Sequence, residues 1–343
     1  MRSAFGQQFD VPDGYLNTAS IGMPPVAAAE AVVEAVRHWR VGSGRSHHFD
    51  EPVAVARAAF ATLLGVAADR VAIGSSVSML VGLVAANLPD GARVIVAKGE
   101  FTSVTFPFAA QAHRGVTVTE LELAEIPGRA AEADLVAASV VQSADGALLD
   151  LVALREARER TGTRVLLDVT QAAGWLPLHL PWADAVVAAG YKWLLCPRGA
   201  AWLAVSAPMR DTLVPLWAGW YASDEPWAST YGLPPRLAPD ARRLDVSPAW
   251  LCHVGAAAAL PWLASLDREK VRAHCVGLAN QLRGELGDEP ADSAITVVRR
   301  AGAPEKLEAA GVVASTRQGL ARLAFHLYNT EADVRRTLDA LAR

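Results

Sequence analysis

Between residues 70 and 205 the chain repeats one rhythm: a short, wholly apolar run, a stretch with helical spacing, then another apolar run. This alternation constrains the fold most. Apolar runs with no polar alternate need cover on both faces, and strands joined through helices lie parallel, with helices on each side of the sheet. Strands are expected at 71–74, 94–97, 116–121, 135–140, 165–169, 185–188 and 200–205, giving an α/β fold around a mostly parallel seven-stranded sheet. Residues 152–161, where Arg155, Glu156, Arg158 and Glu159 interleave with apolar positions, read as a crossover helix.

Past this region the pattern changes. Residues 207–249 are rich in Trp, Pro, Gly and Ser and carry no period, which predicts loops covering a site. Helices are expected at 250–266 and 268–286, then a strand at 312–325 and a helix at 330–341, which make a small C-terminal α+β domain. The 343 residues are enough for a large domain over 1–255, with its N-terminal segment packing near a small domain over 256–343.

The formal net charge of -4 offers no concentrated basic face, so a nucleic-acid partner is not expected. The first ten residues hold no long apolar segment, and the apolar stretch 250–266 is broken by His253 and Pro261 and short for a bilayer. A soluble, cytoplasmic protein with no membrane partner is the expectation. Cys196, Cys252 and Cys275 form no CxxC pair, which argues against a disulfide framework or a metal site.

Two residues carry the chemistry. Lys192 lies in Ala-Ala-Gly-Tyr-Lys-Trp-Leu-Leu-Cys-Pro-Arg-Gly (188–199), and Asp168 in Val-Leu-Leu-Asp-Val-Thr-Gln (165–171). A pyridoxal 5'-phosphate enzyme needs an amine to join the cofactor aldehyde and a carboxylate to keep the pyridine nitrogen protonated. Asp168 falls near the end of a buried strand, the edge where open α/β sheets place ligands, although a carboxylate there also suits a helix cap. Lys192, between Tyr191 and Trp193, is expected to be enclosed and its amine made more nucleophilic by burial; an ordinary surface lysine is the alternative. Gln171 is placed to reach a ring oxygen.

Weaker signals surround this pair. Ser75, Ser76 and Val77 follow the first strand and open an apolar helix, a place where backbone N–H groups hold a phosphate, though serines there also serve as simple caps. Phe101 follows the next strand and is expected to stack on the cofactor ring; an apolar aromatic is equally at home in a core. Arg322, in an otherwise apolar strand, suits a substrate carboxylate held by a bidentate pair, or else an edge salt bridge.

In this order the motifs resemble the class V aminotransferase family of fold-type I pyridoxal phosphate enzymes, which includes cysteine desulfurases and isopenicillin N epimerase-like proteins; matching stretches run from Tyr15-Leu16-Asn17-Thr18-Ala19 to Tyr328-Asn329-Thr330. The resemblance implies Lys192 bound to the cofactor, Asp168 on the pyridine nitrogen, Gln171 on the ring oxygen, and Ser75, Ser76 and the Val77 amide on the phosphate. It further implies Arg322 on the substrate carboxylate and a homodimer in which the segment 243–248, with Ser247, reaches the neighbouring cofactor. Departures narrow the reaction. Phe101 and Tyr191 stand where desulfurases carry histidines, and Ala189 replaces a phosphate-binding serine. Only four residues separate Arg317 from Arg322, and no cysteine follows Cys275, so a persulfide route is disfavoured. The expected activity on a small-molecule amino-acid substrate is amino-group transfer, which needs only Lys192 as acid and base. The alternatives are a β-eliminating carbon–sulfur lyase and a non-catalytic protein that keeps the fold.

Overall fold

The computed structural model describes residues 1–342. The chain opens with an antiparallel hairpin of β1 (Arg2–Ala4) and β2 (Gln7–Phe9), then crosses to two long helices, α1 (Val26–Arg40) and α2 (Asp50–Leu64). The helix α2 stops at Gly65, whose φ of +68 gives it a left-handed C-terminal cap. The expected βα rhythm follows: β3 (Val71–Gly74), α3 (Val77–Ala86), β4 (Arg93–Ala97), α4 (Thr102–Ala109), β5 (Thr117–Leu121), α5 (Ile126–Arg129), β6 (Leu135–Ser139), α6 (Leu151–Thr161), β7 (Arg164–Asp168), β8 (Ala185–Ala189) and β9 (Ala201–Val205). All seven expected strands are present, with ends shifted by a residue or so.

The sheet order is β3-β9-β8-β7-β6-β4-β5. Only β9 runs against its neighbours, pairing antiparallel with both β3 and β8. Successive residues point to opposite faces and into separate cores: Ile73 and Trp202 join one with Phe60, Trp193 and Leu260, while Ala72 and Leu203 join the other with Leu80, Val84 and Phe108. That is why the strands read as unbroken apolar runs. The parallel strands also bring the last residues of β3, β4, β6, β7 and β8 to one edge, with Gly74, Ala97, Ser139, Asp168 and Ala189 in line.

Residues 207–249 hold one short helix, α7 (Ala207–Arg210), and three single turns. They do not cover the pocket at that edge: none of them lines it. The segment folds back on itself, with Ala238 N–H donating to Ala222 O, and ends by anchoring β3 from behind. There the buried Asp245 carboxylate takes both Arg57 guanidinium nitrogens, at 3.0 and 2.7 Å, and the Ile73 N–H at 2.8 Å. Arg57 also donates to Val71 O, so the pair fixes the strand that leads into Ser75.

The rest comprises α8 (Trp250–Ser265), α9 (Arg268–Leu286), β10 (Ile295–Val298), α10 (Ala303–Ala309), β11 (Ser315–Arg317), β12 (Leu320–Ala324) and α11 (Glu331–Ala342). The single strand expected at 312–325 is a hairpin. Gln318 and Gly319 both have positive φ, +50 and +80, and this two-residue turn folds β11 back on β12. A third core of Leu278, Leu282, Leu307, Phe325 and Val334 lies here. The division expected at residue 255 falls inside α8, one unbroken helix packed on α1 and α2; the break at Leu266 is the boundary proposed between the large and small parts. The N-terminal segment joins them: Ala324 N–H donates to Leu16 O, and Arg2 pairs with Asp333 at 2.6 Å. Among the described residues no helix is long and apolar enough to cross a membrane, and no cluster of His, Cys, Asp and Glu is placed to hold a metal ion.

Candidate active site

The edge formed by β3, β4, β6, β7 and β8 opens into a pocket lined by Ser75, Ser76, Val77, Phe101, Asp168, Gln171 and Lys192, with Ser103, Ser143, Tyr191 and Arg198 among its other walls. Seven of the nine residues singled out in the sequence thus share one space. Ser247 and Arg322 do not line it.

Lys192 sits in a tight loop after β8. Gly190 accepts its neighbours closely, with its N–H on Ala200 O and its carbonyl taking Cys196 N–H. A side chain at Gly22 would collide with the Lys192 carbonyl, and one at Gly174 with that of Trp193, so glycine on two other segments lets the loop seat. The Lys192 side chain is 6% exposed, and no acid lies within ion-pair distance of it among the described residues. Burial lowers its pKa to about 8, against the pull of Asp168 and with help from Arg322, Arg317 and Arg198. Its Nζ lies 5.1 Å from the centre of the Phe101 ring and 5.7 Å from that of Tyr191.

Asp168 ends β7, buried, with Oδ1 taking the Thr170 N–H at 2.8 Å and, among the described residues, no basic side chain in ion-pair distance. Burial pushes its pKa up to about 6; Thr170 hydrogen bonds oppose this and the charge of Glu100 adds to it. A buried carboxylate and a buried amine, neither with a partner of its own, are costly in a folded chain unless a ligand meets them.

At the β3 end, Ser76 caps α3 by accepting Met79 N–H, and the N–H groups of Val77 and Ser78 precede the first intrahelical bond, from Leu80 N to Ser76 O. Phe101 occupies the N-cap position of α4 with its ring in no capping bond and is 42% exposed at the rim, so the ring is free to lie against a ligand.

Two residues are more committed than the sequence suggests. The Gln171 amide donates to Ala19 O and Ser143 Oγ and accepts from Trp193 Nε1 at 2.7 Å, so its hydrogens are already in use by the protein. Reaching a ring oxygen requires it to exchange the Ser143 bond. Arg322 is buried behind Ser143: it donates to Ser143 O and Oγ, to Ser20 Oγ at 2.9 Å and to Ser315 Oγ at 3.0 Å. Among the described residues it forms no ion pair, which sets aside the edge salt bridge, and burial lowers its pKa to about 10. Ser247 is exposed and outside the pocket of its own chain.

Glu100 escaped the sequence reading. It is buried with no cation paired to it among the described residues, and its carboxylate takes Phe101 N–H, Ser139 N–H and Oγ–H, and an N–H of Gln142 Nε2. An acid three residues past an apolar strand, at the ligand edge, was the available signal. The cysteines are poor nucleophiles here: burial raises the thiol pKa of both Cys196 and Cys275 far above neutral.

The model of the family described as aminotransferase class-V matches residues 29–305. The chain is 29% identical to an uncharacterized aminotransferase, YcbU, of Bacillus subtilis (strain 168), over 85% of this chain and 84% of that protein. It is 27% identical to isopenicillin N epimerase of Streptomyces clavuligerus, over 95% and 93%. The solved structure of the cystine C-S lyase C-DES with its product cysteine persulfide superposes with a TM-score of 0.85, covering 98% of this chain and 99% of that one at 21% identity.

Proposed function

The chain belongs to the aminotransferase class-V family, and from that premise we propose that it is an aminotransferase acting on an amino acid, with Lys192, Asp168 and Arg322 as its working residues. Its cofactor is pyridoxal 5'-phosphate. The observation that carries the reading is the Lys192 amine, buried without a partner and facing an equally unpaired Asp168.

The pocket fits that group. The Val77 and Ser78 N–H groups with Ser75 and Ser76 would hold the phosphate, Asp168 the ring nitrogen, and Phe101 one ring face. When bound, the cofactor supplies an aldehyde for an amine and a protonated ring that draws electrons from the carbon next to it. Lys192, with a pKa near 8, is neutral in a useful fraction of molecules at neutral pH and so can bind the aldehyde or, once released, move a proton at Nζ. Asp168, with its pKa raised to about 6, is mostly ionised at neutral pH, and a protonated ring nitrogen would be the cationic partner its buried charge lacks. Arg322, with Arg317 beside it on Ser20, would take the substrate carboxylate in exchange for serine hydroxyls. A non-catalytic scaffold has no use for two unpaired buried charges, which weighs against that alternative.

A β-eliminating carbon–sulfur lyase would use the same residues and draws support from the likeness to C-DES. A homodimer is part of the proposal: Trp39 and Val41, 71% and 69% exposed, border or adjoin a largely apolar groove of about 550 Å³ near Phe49 and Trp250, a surface suited to a second copy. The test is to load the purified protein with pyridoxal phosphate, record its visible absorption, and repeat with Lys192→Ala. An unchanged spectrum in the variant sinks the assignment. Incubation with amino acids then separates the reactions: pyridoxamine phosphate marks transfer, whereas pyruvate and ammonia without it mark the lyase.

A further inference from the structure

The space at Lys192 does not end at Tyr191. A groove of about 470 Å³ opens beside it, walled by Ile21, Ala28, Ala29 and Val32 and by Pro197 of the lysine loop. Tyr191 and Arg198 line both spaces, which makes them continuous. Of the groove's side chains Ser20 and Tyr191 bring a hydroxyl and Arg198 a charge, and the remaining side chains offer no oxygen or nitrogen. Ser20 Oγ accepts from Arg322 at 2.9 Å and from Arg317 at 3.4 Å, so this wall adjoins two guanidinium groups that pair with no acid among the described residues.

Building on the aminotransferase reading, we infer that this groove is the side-chain subsite and that the substrate is an α-amino acid with a bulky, uncharged, apolar side chain. An amino acid has two fixed groups. Its amine must reach the place of Lys192 Nζ, 5.7 Å from the Tyr191 ring, and its carboxylate the arginines behind Ser20. Both anchor points border the groove, so the side chain is the part left to enter it. Apolar walls favour each added methylene by about fourfold in binding. An amide there would lose water for little return from the apolar walls, and a carboxylate would find only Arg198, at the boundary with the Lys192 pocket. Arg198, stacked on Tyr191 at 5.0 Å, repels cationic side chains. The room comes from small residues, Gly22, Ala28 and Ala29, where larger ones would fill it.

Ala29 allows a clean test because it is an exposed position on α1, away from the cores and from the groups assigned to cofactor or carboxylate. The holoenzyme and its Ala29→Trp variant are compared for kcat/KM with alanine, leucine, phenylalanine, glutamate and lysine. Binding of 3-phenylpropionate and of acetate to the apoprotein is measured by calorimetry, and mass by sedimentation. The expected result is a wild-type preference for leucine or phenylalanine over alanine of roughly tenfold or more, erased in the variant while alanine turnover persists, with 3-phenylpropionate binding weakened to match. A wild-type preference for alanine, glutamate or lysine overturns the inference, as does a variant with unchanged discrimination. A variant that loses a dimer while keeping its selectivity also overturns it and makes the groove an interface. If no amino acid reacts but 3-phenylpropionate binding still depends on Ala29, the reaction assignment fails and the apolar subsite stands.

Discussion

Replacing Lys192 by methionine should stabilise the protein when the cofactor is absent. The side chains are close in length, so the change removes a charge and leaves the packing nearly intact. Burial takes the lysine from its usual 10.5 to about 8. Each unit corresponds to about 1.4 kcal/mol, so holding the charged amine in the fold costs about 3 kcal/mol at pH 7. The sign follows from proton uptake. Between pH 8 and 10.5 the unfolded chain binds the proton and the folded chain does not, so wild-type stability rises with pH across that window. The advantage of Lys192→Met should therefore be largest below pH 8, fall to about 2 kcal/mol at pH 9, and nearly vanish above 10.5. Three kcal/mol is the upper bound, because Asp168 loses the attraction of the amine. Urea denaturation of both apoproteins at pH 7 and 9 measures it. A variant no more stable than wild type at pH 7, or an advantage that grows with pH, would show that the amine is paired or solvated and would remove the main argument for its role.

Other perturbations reach different parts of the site. Asp245→Ala leaves the Arg57 charge buried and unpaired and frees β3, so thermal unfolding should register a loss of about 3–5 kcal/mol, with weaker cofactor retention on dialysis. Asp168→Asn should keep the fold yet lower turnover by at least about a hundredfold, and cofactor binding by the wild type should weaken as pH falls below about 6, where the carboxylate protonates. Arg322→Lys should raise KM for amino acids by roughly tenfold or more while visible cofactor absorption is unaffected, since lysine cannot offer a paired fork. Gly22→Ala should push the Lys192 loop out of place and reduce cofactor loading, which absorption titration reports.

Much of the architecture was legible because it rests on local pattern. Apolar runs such as 165–169 and 185–188 cannot sit at a surface, and their spacing through helices leaves few arrangements other than a doubly covered sheet. Where local pattern was weak, the reading missed. The Gln318-Gly319 turn depends on two left-handed residues inside what otherwise reads as one apolar strand. The loops at 207–249 have no period, and their main structural act, Asp245 on Arg57, spans 188 residues. Glu100 reads as one acid among many until β6 brings Ser139 to it.

For the site, residue type and order were enough to gather Lys192, Asp168, Gln171 and the serine turn, because each follows a strand and parallel strands end at one edge. The sequence by itself thus determined the sheet, its ligand edge and the chemical kinds of group waiting there. Tertiary structure decided what those groups can do. It left the amine and the carboxylate without partners, tied the Gln171 amide and Arg322 to Ser143, and opened an apolar groove beside Tyr191. The physical reason is that solvation, pairing and free volume belong to surroundings assembled from distant parts of the chain, whereas strand and helix patterns are written within a few residues.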